Sequence, residues 1–356
     1  MSSAALSVSE SLDTVMITPV DFAFVSAKLH GMRSRLHEGP RLEPLTGLRN
    51  VFEMMRSLYP GTDVGGRTGF ERRLVEEHIG ELMRVLVFLD GPNRDFFEWQ
   101  LERYRIENLK VVLRGWKLRM PREELEALLV TLPPAYALPT AKLLETAKLI
   151  ELIRLMPVSL FAEGIRRGSV QFHDTNRLFY IEAGLDAVYF EELCRRAAHL
   201  SSTDAEEVKE LLRREVLIYD VLFIMRARLN YDLTVEDVRE FLVTGTDAAP
   251  QAALFESMLR AQSFGEMLEA CPEQKALLGP DGGVPDLDAL QRRLWERLYL
   301  AANRMFYRSM FHMGCVEAFY YIKRVELRNL IRVAELLRQE RSARDIQREL
   351  IRLPEG

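Results

Sequence analysis

The chain has 356 residues, 48% of them hydrophobic and 28% charged, and its 53 acids against 48 lysines and arginines give a formal net charge of −5. That is apolar material for two or three subdomains of ordinary size and it excludes a disordered class. No positive excess advertises nucleic acid as a partner. The three cysteines, Cys194, Cys271 and Cys315, are too scattered for a disulfide framework or a CxxC metal knuckle, so a reducing cytosol is the expected compartment. The opening "MSSAALSVSESLD" lacks the basic and apolar regions of a signal peptide. No stretch reaches the ~18 to 20 uninterrupted apolar residues of a membrane-spanning helix. The expectation is a protein that meets a membrane only through a partner.

Taken in chain order, almost every segment between breakers has helical spacing, and no run of alternating β-branched residues stands out. Residues 1–18 read as a polar tail. "FAFVSAKLHGMRSRLHEG" opens a helix that Gly39-Pro40 terminates. "PLTGLRNVFEMMRSL" reads as one amphipathic helix with Leu45, Leu48, Val51 or Phe52, and Met55 on one stripe. After the break "YPGTDVGGRTG", a helix is expected from Phe70 to Leu89, and Gly91-Pro92 opens another carrying Trp99, Tyr104 and Leu109. "SSTDAEE" reads as a helix start with Ser202 or Thr203 as N-cap. Further breaks fall at "TLPPAYALP", "TGTDAAPQ" and "LGPDGGVPD". The fold class is all-α.

Three segments align with one another: "ERYRIENLKVVLRGWKLRMPREELEALL" from Glu102, "REVLIYDVLFIMRARLNYDLTVEDVREFL" from Arg214, and "KRVELRNLIRVAELLRQERSARDIQREL" from Lys323. Each is a helix carrying Asn108, Asp220 or Asn329 at the matching place, then a short break, then a second short helix. Matching positions lie about 110 residues apart, far above the ~20 to 50 of solenoid repeats, so each copy is expected to be a small helical subdomain. The expected division is a tail over 1–18 and subdomains over 19–135, 136–247 and 248–356, closed in a pseudo-threefold arrangement. Periodic amphipathic helices also align by chance, so the repeat stands here as an expectation.

No constellation carries chemistry. The glycines of "GTDVGGRTGFERR" lack the GK[ST] of a P-loop. None of the six histidines pairs at i, i+4 spacing as in HExxH, and His312 with Cys315 supplies only two of the four ligands of a tetrahedral site. The serines lack a GxSxG elbow. Carboxylates lie among arginines at i, i+3 or i+4, a pattern that supports exposed helix faces. The stripe Phe306, Tyr307, Met310, Phe311, Phe319 and Tyr320 reads as core, as do Val316, Phe319, Leu327, Leu330 and Leu337. No cofactor, metal or nucleic acid is expected.

"MFHMGCVEAFYYIKRVELRNLIRVAELLRQ" carries a family resemblance through Gly314, the aromatics Phe319 to Tyr321, Lys323, Glu326, Asn329-Leu330 and Ala334-Glu335. "IEAGLDAVYFEEL" adds Leu185, Asp186, Tyr189, Phe190 and Leu193, and "ENLKVVLRGWKL" adds Asn108, Leu109, Leu113, Arg114 and Lys117. With "FAFVSAKLHGMRSRL" near the start, nearly the whole chain resembles the d/C (AC39-like) family of V-type and A-type ATPases, which holds the d-type component of the vacuolar proton ATPases and the C-type component of the archaeal and bacterial A/V-type enzymes. The family often has an acid three residues before the Asn. Glu326 fits, whereas Arg105 and Leu217 replace it in the first two copies and Asp220 replaces the second Asn.

The resemblance implies a funnel of three helical subdomains: a non-enzymatic rotor part, one copy per complex, seated on the proteolipid ring of a rotary ATPase and receiving central-stalk subunits of the D/F type. It would be cytoplasmic and peripheral to the membrane. The alternatives are a free-standing helical scaffold that borrowed the fold, and a helical enzyme using Glu326 or Asp186. Asn329 is expected to hold helices or the following loop together, and the partner contacts are not readable.

Overall fold

A computed structural model describes residues 22–62, 66–231, 233–243, 255–271 and 286–353. The expected tail and the break "TGTDAAPQ" lie outside the described residues, as does all but Asp286 of "LGPDGGVPD". No strand occurs among the described residues and the fold is all-α.

Among the described residues seven long helices build it: α1 (Phe22–Arg33), α2 (Gly66–Leu86), α3 (Gly91–Leu118), α4 (Phe179–Ala197), α5 (Ser202–Asn230), α6 (Leu287–Arg308) and α7 (Met313–Arg338). Turns at 87–90, 198–201 and 309–312 join them into the hairpins α2/α3, α4/α5 and α6/α7. The second helix of each hairpin packs on the first helix of the next, α3 on α4, α5 on α6 and α7 on α2, so the contacts run round a closed cycle. The second helices α3, α5 and α7 face the middle. Phe97 of α3 meets Tyr320 of α7 edge-on at 6.1 Å, and α5 packs along α7. α1 lies against α7.

Local chemistry sets the boundaries. Side-chain N-caps accept from the N3 amide at Asn50, Ser201, Thr234, Ser263, Asp286 and Ser342, each satisfying one orphan donor of a helix start. Ser201, not Ser202 or Thr203, caps α5, because the cap must stand outside the first helical residue. Asn50 also divides "PLTGLRNVFEMMRSL" into two helices, Glu43–Thr46 and Val51–Leu58. The new start turns Val51 and Met54 inward and leaves Phe52 exposed and Met55 only half-buried. α1 stops at Arg33, before the expected Gly39, where Arg33 reaches forward to Glu38 with a bond of 2.8 Å. α2 begins at Gly66 and ends at Leu86, shifted from the expected 70–89.

Close packing of α4 needs glycine. A Cβ on Gly184 would stand 2.2 Å from the carbonyl oxygen of Gly164, in the helix Ser159–Arg167 that crosses it. A Cβ on Gly164 would stand 2.9 Å from that of Gly184.

The aromatic stripe divides. Phe306, Phe319 and Tyr320 are fully buried, but Tyr307, Met310 and Phe311 are exposed, the last two in the turn between α6 and α7. Val316, Phe319, Leu330 and Leu337 are core and Leu327 packs partly buried against it. The charges of α7 depart most from the reading of exposed pairs. Glu317, Lys323, Arg324 and Glu326 are all buried.

Candidate functional site: a charged seam where three helices meet

Asn108 and Asn329 make the same bonds. The Asn108 carboxamide accepts from the amide of Val130 at 3.0 Å and donates to that residue's carbonyl at 2.8 Å. Asn329 does the same to Ile351, at 2.9 Å each way. Both clasp a residue 22 positions downstream, just past the short helix Arg122–Leu128 or Ala343–Arg348. Asp220 reaches Val243, 23 positions downstream and past the helix Val235–Glu240, but accepts only the amide, at 3.1 Å. Its second oxygen is buried without a partner, and burial pushes its pKa well above the usual carboxylate value. Arg119 and Glu340, eleven residues after the two asparagines, close α3 and α7 in the left-handed conformation, while Tyr231 at the same place in α5 does not.

Glu326 stands apart from these clasps. It accepts from the His37 amide at 2.6 Å and from Lys323 at 2.6 Å, and Lys323 also pairs with Glu81. Burial works to raise its pKa, but the bonds from His37 and the charge of Lys323 outweigh it and hold the carboxyl at about 2. In the first copy Arg105 inverts the polarity, donating to the carbonyls of Tyr136, at 2.8 Å, and Ala135. Leu217 of the second copy packs half-buried against the core. Asp186 pairs with Lys110, which it shares with Glu107. Burial raises its pKa in spite of that lysine. His312 sits 3.6 Å from Asp204, Cys315 faces Ser26 at 3.9 Å, and no metal-binding group of side chains occurs among the described residues.

The groups that do converge stand five residues before each signature position: Arg103 of α3, Glu215 of α5 and Arg324 of α7. Glu215 accepts from Arg324 at 2.5 Å and Arg103 at 3.1 Å through one oxygen, and from the Tyr321 hydroxyl at 2.8 Å through the other. Burial opposes its charge, yet the two guanidiniums and these bonds leave its pKa below the usual value. One turn before Tyr321, toward the start of α7, Glu317 accepts from Gln100 of α3 at 2.7 Å. Burial lifts the Glu317 pKa to about 8, so it carries a proton at neutral pH. Its other oxygen and the Gln100 oxygen are both buried without a partner, and the acid proton gives Glu317 a donor that a carboxylate lacks.

Beside this seam opens a cavity of about 390 Å³ walled by all three hairpins. Glu107, Tyr219 and Arg328, each one residue before a signature position, all line it. Arg328 lies over the Trp295 ring at 4.0 Å, and Arg226 donates to the neutral Gln291 at 2.8 Å. Arg103, Glu215 and Arg324 stand at one register position of the three aligned segments, where unlike charges conceal the correspondence in the sequence.

What the site defines is a helical module closed round a charged centre, in which no helix of the described residues is long and apolar enough to cross a membrane. Residues 25–349 match the ATP synthase (C/AC39) subunit family, and the chain belongs to it. It is also similar to a protein of Treponema pallidum (strain Nichols) described as uncharacterized, with 26% identity over 342 residues, covering 92% of this chain and 95% of that protein. Membership makes it a subunit type of V/A-type rotary ATPases, a family of structural subunits serving ion transport.

Proposed function

We propose that the chain is the rotor part that couples the central stalk to the membrane proteolipid ring, receiving the tip of D/F-type stalk subunits in the central cavity and passing torque to proton or sodium movement. One copy would serve each complex, held at the membrane through the ring. The observation that carries the reading is the cyclic contact of three hairpins around a cavity walled by all of them, in a member of this family. Three units of about 19–135, 136–247 and 248–356 related by a pseudo-threefold axis through the Arg103–Glu215–Arg324 cluster fit the same reading. Asn108, Asp220 and Asn329 then act as the clasp of each unit, with Glu326 bracing the third against His37. Glu326 and Asp186 pair with lysines in a manner that favours structure over catalysis.

Affinity purification from membranes of the native organism tests this. Stalk and ring subunits should co-purify in stoichiometric amounts, and a chain that never joins the stalk while the other subunits assemble would sink the reading. A free-standing scaffold is the second reading, motivated by Arg105, Leu217 and Asp220. It predicts normal ATPase assembly when the chain is deleted.

A further inference from the structure

The ion pairs along the cavity wall leave two cations over. Arg103 and Arg324 share Glu215, Lys110 serves Glu107 and Asp186, and Glu182 is taken by Arg114 at 2.7 Å. Arg328 and Arg226 have no carboxylate partner among the described residues. A ring face compensates a guanidinium only partly, and an amide oxygen brings no charge. Burial first, then the neighbouring Arg324 and Arg103 charges, press the Arg328 pKa down to about 9, which leaves it charged at neutral pH and under electrostatic stress. The half-buried Arg328 guanidinium costs stability without a counter-charge, and the exposed Arg226 beside the same cavity adds a second unpaired cation.

We propose, resting on the stalk-seating reading above, that Arg328 and Arg226 receive a side-chain carboxylate carried by the tip of the central stalk. Arg328 sits 4.0 Å over the Trp295 ring with no hydrogen-bond partner among the described residues, and a guanidinium so placed can offer a carboxylate a two-pronged bond. The opposite wall holds Glu107, Glu182 and Asp186. Those acids oppose a doubly charged phosphate more than a single carboxylate, which can stay on the α6–α7 side. The site trades stability of the free chain for recognition in the complex.

The test measures calorimetric affinity of the full chain for its own D- and F-type stalk subunits, at two salt concentrations, beside thermal melts. Arg328→Gln should bind at least tenfold more weakly, with a shallower salt dependence, while melting at or above the wild-type temperature. Arg328→Lys should recover part of the loss. Unchanged affinity in Arg328→Gln overturns the inference, and so does weaker binding that comes with a lowered melting temperature, since that is the mark of a packing residue. Inorganic phosphate that stabilises the wild type at millimolar concentration, with stalk affinity equal in both proteins, would assign the arginines to a free anion instead. Wild-type chain that does not bind the stalk at all refutes the seating itself, a result distinct from the others.

Discussion

Asp220→Asn should make the protein more stable. The two asparagine clasps use both faces of a downstream residue, accepting its amide and donating to its carbonyl. Asp220 takes only the amide and leaves one oxygen buried and unpartnered. An unsatisfied buried polar atom costs about 1–3 kcal/mol, so an amide that supplies the missing donor should gain ~1–3 kcal/mol at pH 7. The pH dependence follows from the raised pKa of Asp220. Folded Asp220 keeps its proton to higher pH than the unfolded chain does. Its contribution is therefore whole below the unfolded value of 3.8 and is lost as pH rises through the folded one. Asparagine has no such term, so the advantage of the variant should grow from pH 4 upward. Urea denaturation at pH 4, 6 and 8 reads this directly. A variant less stable than wild type at pH 8, or a difference that does not change with pH, refutes the reasoning.

Asn329→Leu strips the amide and carbonyl of Ile351 of their partners together, and should lower stability by about 2–4 kcal/mol; an unchanged melting temperature would count against the clasp. Glu215→Gln leaves Arg103 and Arg324 facing each other without a counter-charge. Breaking a buried pair in this way costs about 3–5 kcal/mol, visible as a drop in the denaturation midpoint, and a neutral result would show that water reaches the seam. Gly184→Ala drives a Cβ into the Gly164 backbone, with no flexible side chain to yield. A loss of about 1–3 kcal/mol is expected, and α4 tolerating the methyl would mean that the crossing helix can slide away.

The helical class was legible because the apolar periodicity is strong and breakers are frequent. Asn108, Asp220 and Asn329 stand out in the sequence as residues of similar shape beside similar helices, and each bonds a residue 22 or 23 positions downstream. Boundaries failed where a single cap decided them, as at Asn50, whose preceding Gly47 reads as tolerable inside an amphipathic helix. The seam failed for a different reason. Glu317, Lys323, Arg324 and Glu326 have the spacing of a solvated face, and only tertiary contacts with α2, α3, α5 and His37 beyond α1 reveal that this face is internal. Met310 and Phe311 failed in the opposite sense, because the helical spacing continues past Arg308 while the chain turns away, and Tyr307 is exposed although α6 still carries it.

On the three-unit reading proposed above, the Arg103–Glu215–Arg324 cluster limits how alike the units can become. Where equivalent positions converge, an identical residue would be repeated three times at one point. Three arginines or three glutamates at that point would repel one another in a setting too dry to screen them. On that reading the units must differ at this position to close, and the mixture of signs is the condition for closure. A version of the protein symmetrised to one consensus unit should fail there first, unless that position is made apolar in all three.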